Sequence, residues 1–359
     1  MDPSSHTATA TPSRLTLQAL HPGNFALVMA TGIVSLGLAL HEQALLAEVF
    51  AALAVAAWLT LLALSLLRVQ RYAAAVKVDL LNPRMVFSYF TLVAATSIVG
   101  LLLLQRGHAK LAIGCWVMAF TAWCLLLYLA FAVMTFLTHE SNVNVMHGGW
   151  LIAIVGTQSL VLLGARIAPH LGEYAMYMMV EVHMLWGLGL AFYGIFVVLF
   201  CHRIFFATLK PQDASPLLWV VMGAAAISAN AGTTLITEDA RLPFLVAQRP
   251  FIDGVTLMIW AWATWWIPML VLFGIWKHGF NRVPLAYEPV LWSFVFPLGM
   301  YSVASGRLGL AAQFPPLHAI SQLMIWIALA AWCVVAVGLL RRVRRWVAQR
   351  RGAAASVRG

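Results

Sequence analysis

The sequence predicts an all-α polytopic membrane protein, with ten transmembrane helices paired as five helical hairpins in quasi-fivefold symmetry around a central pore. Three observations predict it. Of the 359 residues, 62% are hydrophobic and only 9% charged, against about half and about a quarter in a soluble chain. The apolar stretches reach the roughly 20 residues that cross a hydrocarbon core, and they are continuous rather than alternating as barrel strands are. A glycine also returns at a nearly regular interval. Together with a mean hydropathy of +0.88, this composition excludes a cytosolic enzyme, a nucleic-acid-binding domain and a secreted disulfide scaffold. Cys115, Cys124, Cys201 and Cys333 all sit inside apolar runs without a CxxC pair, so they read as small core residues that hold neither metal nor cofactor.

Residues 1–20 are rich in Ser, Thr and Pro and lack the basic, apolar and cleavage regions of a signal peptide, so they read as a cytoplasmic tail. A transmembrane domain follows over residues 21–342. Its spans are Asn24–Leu40, Ala44–Leu67, Val86–Leu104, Leu111–Leu137, Gly149–Gly164, Tyr174–Phe206, Leu217–Ile236, Phe251–Trp276, Pro289–Leu310 and Leu317–Leu340. The last helix is expected to run on through Arg341, Arg342, Arg344 and Arg345 into a basic cytoplasmic tail over residues 343–359. With ten spans both termini share one face. That face carries 16 of the 22 Lys and Arg residues, so the positive-inside bias places both termini in the cytoplasm of a plasma (inner) membrane protein. The arginine run reads as a topology anchor with snorkelling side chains.

Odd and even spans differ. Even spans are longer and richer in Leu, Val, Trp and Phe, and their Trp residues read as packing and interfacial belts. Odd spans open on bulky residues and pass to small and hydroxylated ones, as in FALVMATGIVSLG from Phe25 and WSFVFPLGMYSVASG from Trp292. Gly32, Gly100, Gly164, Gly232 and Gly306 lie 68, 64, 68 and 74 residues apart. That interval fits five copies of a hairpin in the same orientation. Five equivalent helices, each too polar to prefer lipid, would surround a pore.

The interiors of the odd spans hold no Asp, Glu, Lys or Arg, and Arg307 stands at the exit of the ninth. The expected lining is Thr31, Gly32, Ser35, Thr96, Ser97, Thr157, Gln158, Ser159, Ser228, Asn230, Thr233, Ser302 and Ser305. Hydroxyls and amides offer hydrogen bonds without a fixed charge, and such sites bind ions weakly enough to release them. The opposing reading is that these groups satisfy one another between packed helices. The lack of acidic rings argues against a cation channel, and basic residues at the cytoplasmic mouth would concentrate anions. In the ninth span Pro297 frees the carbonyl of Ser293 and kinks the helix. Phe296 beside that kink is a candidate pore gate, against a packed core ring as the plainer reading.

The first span, His21-Pro22-Gly23-Asn24-Phe25 through Ser35, resembles the tellurite-resistance/C4-dicarboxylate transporter family, which includes plant slow-type anion channels, fungal malate permeases and sulfite exporters. Phe296-Pro297-Leu298-Gly299 is similar to its ninth-helix motif, and Asn82-Pro83 to a loop motif. The resemblance runs from about His21 to Arg342. It implies five hairpins, odd helices around a pore, a phenylalanine gate at Phe296 and a homotrimer. It implies C4-dicarboxylates such as malate, or small inorganic anions, as cargo, with the lipid bilayer as the other partner and no nucleic acid.

Two rival readings remain. Glu181 and His183 lie inside the sixth span, where an ionisable group is costly and is a functional candidate. They would serve a proton relay in a proton-coupled dicarboxylate or sulfite carrier, or a protonated or paired Glu181 would only seal a helix or subunit contact. His139, Glu140 and His147 cluster before the fifth span, but without the HExxH spacing of a metal enzyme.

Overall fold

A computed structural model describes residues 16–137, 148–206, 208–211 and 213–356, with the backbone alone from residue 350 on. Ten long helices dominate the described residues, and we number them in chain order. They are α1 (Ala26–Leu40), α2 (Ala44–Arg71), α3 (Phe90–Gln105), α4 (Ala109–Ala132) and α5 (Ile152–Ile167), followed by α6 (Ala175–Phe206), α7 (Val220–Thr237), α8 (Arg249–Gly274), α9 (Trp292–Ala311) and α10 (Pro315–Ser356). Nine of them, all but α9, belong to stretches long and apolar enough to cross a membrane. Serines, glycines and Arg307 dilute the apolar run of α9, whose 20 residues still span about 30 Å.

Burial sorts the helices into two layers. In α1, α3, α5 and α7, 72–94% of the apolar window is buried, against 17–39% in α2, α4, α6, α8 and α10. Most of α9 is buried too. The inner helices close a ring, α1 on α3, α3 on α5, α5 on α7, α7 on α9 and α9 back on α1. Each outer helix packs on the inner helix of its own hairpin and on the next inner helix around the ring, with α10 returning to α1. The hairpins are therefore interleaved. The small residues of the odd spans permit this close approach. Each repeat glycine abuts a neighbour's side chain: Gly32 meets Ile98, Gly100 meets Leu163, Gly164 meets Val182, Gly232 meets Thr256, and Gly306 meets Leu40 and Ser321.

Every inner helix is entered through a tight 3₁₀ turn: Pro22–Phe25, Val86–Tyr89, Gly148–Leu151, Pro216–Trp219 and Pro289–Leu291. Three begin with proline, whose fixed φ suits a first helical position and whose missing N–H costs nothing there. His21 Nδ1 and Ser215 Oγ accept from the N–H groups of Gly23 and Leu217, at 2.9 and 3.1 Å. The five turns touch in the same cyclic order as their helices. At Gly148 a Cβ would collide with the carbonyl oxygen of Leu217 in the neighbouring turn, so this contact requires glycine.

The outer tryptophans do more than fill space or mark the interface. Trp58 Nε1 donates to Thr96 Oγ1 (3.0 Å), Trp123 to Thr157 Oγ1 (2.8 Å), Trp186 to the carbonyl of Ser228 (3.1 Å), Trp260 to Ser305 Oγ (2.9 Å) and Trp332 to Thr31 Oγ1 (3.0 Å). Each bond runs from an outer helix to the inner helix of the next hairpin. The five latches go once around the ring, and the last joins α10 to α1. The C-terminal helix extends past the expected arginines to Ser356. Its 42 residues are about 63 Å long, twice what the hydrocarbon core needs.

Candidate permeation path

The latches fix which face of each inner helix looks outward, and helical phase of about 100° per residue fixes the opposite face. On α9, Ser302 Oγ donates to the carbonyl of Ser321 (2.7 Å) and Ser305 accepts from Trp260. Helical phase puts Phe296, Met300 and Arg307 on the side of α9 away from these contacts. The same construction brings Ser159 and Arg166 of α5, Asn230 and Thr233 of α7, and Gln105 of α3 to the axial side. One contact supports it directly: Asn230 Nδ2 lies 3.5 Å from the sulfur of Met300. The amide oxygen of Asn230 is buried with no hydrogen-bond partner among the described residues.

Phe296 and Met300 are 3% and 1% exposed, so both side chains are packed within the bundle. Pro297 lies inside α9, and α7 approaches it closely. A Cβ at Gly223 would stand 2.8 Å from Pro297 Cγ. α7 thus packs closely on the turn of α9 that carries Phe296 and Pro297.

The residues expected to line a pore divide into groups. Thr31, Thr96, Thr157 and Ser305 accept from outer tryptophans. Ser35 and Ser302 donate to carbonyls of α2 and α10, both at 2.7 Å, and Gln158 donates to the carbonyl of Trp186 on α6 at 3.3 Å. These groups join helices. Ser97, Ser159, Ser228 and Thr233 donate to carbonyls four residues back in their own helices. Gly32 is packed against α3. Of the set, Ser159, Asn230 and Thr233 have the axial phase.

Glu181 and His183 lie on the outer helix α6, both half-buried. His183 Nδ1 is 2.6 Å from the carbonyl oxygen of Met179, while Glu181 stands near Cys124 of α4. Neither is on the inner ring. No group of three metal-ligating side chains occurs among the described residues, and His139, Glu140 and His147 lie outside them.

The two ends of the ring differ electrically. At the amino-terminal end, five helix starts converge, each carrying roughly half a positive elementary charge from its unpaired N–H groups. Several nearby cations are already engaged. Arg68 pairs with Asp79 at 2.7 Å, Arg203 with Asp213 at 3.7 Å, and Lys277 donates to the carbonyl of Ala214 at 2.9 Å. At the carboxyl-terminal end a cavity of about 260 Å³ is lined by Leu101, Gln105, Arg166, His170, Glu238 and Arg307, among others. Arg166 Nε sits 3.0 Å from Glu238 Oε1. In the sequence Arg307 reads only as a charge at a helix exit, unpaired with Arg166. The available signal was their place in the repeat, one and two residues after Gly306 and Gly164.

A closed ring of buried helices rich in small and hydroxylated residues, sheathed in more exposed apolar ones, fits a membrane transport protein. The chain belongs to the voltage-dependent anion channel family, whose model matches residues 19–340. This agrees with the resemblance read from the first and ninth spans. Among similar proteins, an uncharacterized membrane protein of Mycobacterium tuberculosis is 43% identical over 141 residues, 39% of this chain and 71% of its own length. An uncharacterized transporter of Methanocaldococcus jannaschii is 22% identical over 90% of this chain and 93% of its own. A sulfite efflux pump of Arthroderma otae is 24% identical over 80% of this chain and 81% of its own.

Proposed function

We propose that this protein passes small anions across the plasma membrane along the axis of the inner ring, and that Phe296 on the Pro297 kink gates the path. The observation that carries this reading is the closed ring of five inner helices, with all five amino-terminal turns meeting at one mouth. Converging N–H groups favour anions there. The uncharged middle, with Ser159, Asn230 and Thr233 as weak contacts, lets an anion leave again. In this reading all ten helices cross the bilayer as five quasi-equivalent hairpins, with both termini in the cytoplasm. The protomers form a homotrimer, each with its own path. The cargo is a C4-dicarboxylate or a small inorganic anion, and the name of the fungal relatives favours including sulfite in the test.

The same name supports a second reading, a proton-coupled carrier that uses Glu181 and His183. Purified protein in liposomes separates the two. An imposed voltage should drive chloride, sulfite and succinate fluxes that persist without a pH gradient and survive Glu181→Gln. Flux that needs a proton gradient, and loses that coupling in the variant, would establish the carrier instead. No anion flux from folded, reconstituted protein would remove both.

A further inference from the structure

We infer that the cavity at the carboxyl-terminal mouth is an oxyanion-binding vestibule, with Arg307 as its principal ligand and the Arg166–Glu238 pair as its wall. The inference rests on the anion reading above and deepens it.

Arg307 projects from the axial face of α9 into the cavity. It makes no hydrogen bond or ion pair among the described residues, whereas Arg166 is held by Glu238 at 3.0 Å. Glu238 is anchored in turn, because its backbone carbonyl accepts from Arg249 at 3.0 Å. The wall thus carries two guanidiniums against one carboxylate, and the excess charge sits on Arg307. A half-buried guanidinium left without an anion is less well solvated than one in water. The site also lies where five inner helices end, so carbonyl groups present the negative ends of their dipoles. An anion crossing this mouth meets repulsion everywhere except at the arginines. Guanidinium is planar and matches a carboxylate or sulfite with two parallel hydrogen bonds. A water needs only roughly 10–15 Å³ of such space, so the cavity takes a small oxyanion with several waters. Gln105 and His170 stand in the same wall as further polar contacts.

The test uses the full chain in liposomes, with succinate and chloride as probes, and measures flux against concentration. Arg307→Gln should raise the half-saturating succinate concentration about tenfold or more, with little change in maximal flux. Arg307→Lys should restore chloride but not succinate, because an ammonium lacks the fork. Glu238→Gln, which frees Arg166, should lower half-saturation for both probes. Unchanged half-saturation in folded Arg307→Gln overturns the inference and leaves Arg307 as a counter-charge for helix ends. Should Arg307→Gln not fold, the lysine and Glu238 variants decide by the same readout. Should the wild type pass no anion, conduction is lost as a function. Succinate stabilisation of the detergent-purified protein against heat, present in wild type and absent in Arg307→Lys, then still decides the vestibule.

Discussion

Phe296 draws attention in the sequence because Pro297 follows it, and a proline inside an apolar run removes a helix hydrogen bond wherever it falls. What packs against Pro297 is not legible there, because the residue that receives it is Gly223, in a different hairpin. Under the proposed gating role, Phe296→Ala should raise anion flux per folded protein in liposomes. The same substitution should lower the melting temperature, as deletion of a buried aromatic ring costs about 3–5 kcal/mol. Flux that stays the same or falls in well-folded protein would make Phe296 an ordinary core residue. Arg307 is the opposite case. Its charge was visible, yet its meaning depends on Arg166 and Glu238, which only the closed ring brings to one cavity. A third residue sets a pH response. His41 follows α1, 2.7 Å from Ser321 Oγ and tilted against His318 at 4.9 Å between ring centres. Burial, and then His318, hold its imidazole below the ordinary 6.5. The unfolded chain therefore takes up the proton first. This contact contributes its full stability above about pH 6.5 and loses it as pH falls through the lowered value. Melting temperature should drop between pH 7.5 and 5, and His41→Gln should flatten that drop; an equal slope in both proteins would refute it.

Among the helices, the inner and outer classes could be told apart from composition, and burial agrees with that division throughout. The facing of the inner helices could not be read. A helix buried on all sides carries no polar stripe, so Thr31, Thr96, Thr157, Ser302 and Ser305 look like lining when counted and like joints when seen. Their partners are tryptophans and one backbone carbonyl of the outer helices, at positions that a linear reading assigns to lipid or interface. Trp332→Phe keeps the ring and deletes only the bond to Thr31. It should cost about 0.5–1.5 kcal/mol, seen as a lower melting temperature in detergent. Trp265→Phe is the control, because Trp265 is 46% exposed and makes no latch. Equal loss in the two variants would mean that the latch bond contributes nothing.

Over the whole molecule, the five glycines were enough to suggest five hairpins. Their interval says nothing of how the hairpins interlock. That interlocking predicts a property of the assembled chain. A cut between Lys210 and Asp213 leaves three hairpins on one fragment and two on the other, with every latch chemistry intact. Co-expressed fragments should purify together and restore succinate flux, and neither should do so alone. Flux from one fragment would show that the complete ring is unnecessary.

The bond from Trp332 to Thr31 has a consequence for biosynthesis. The first helix made and the last helix made are partners, so the ribosome must release nearly the whole chain before the circle can shut. Until then the nascent protein is a horseshoe whose slit opens sideways to lipid tails. The proposed path can therefore be complete only once translation has nearly ended.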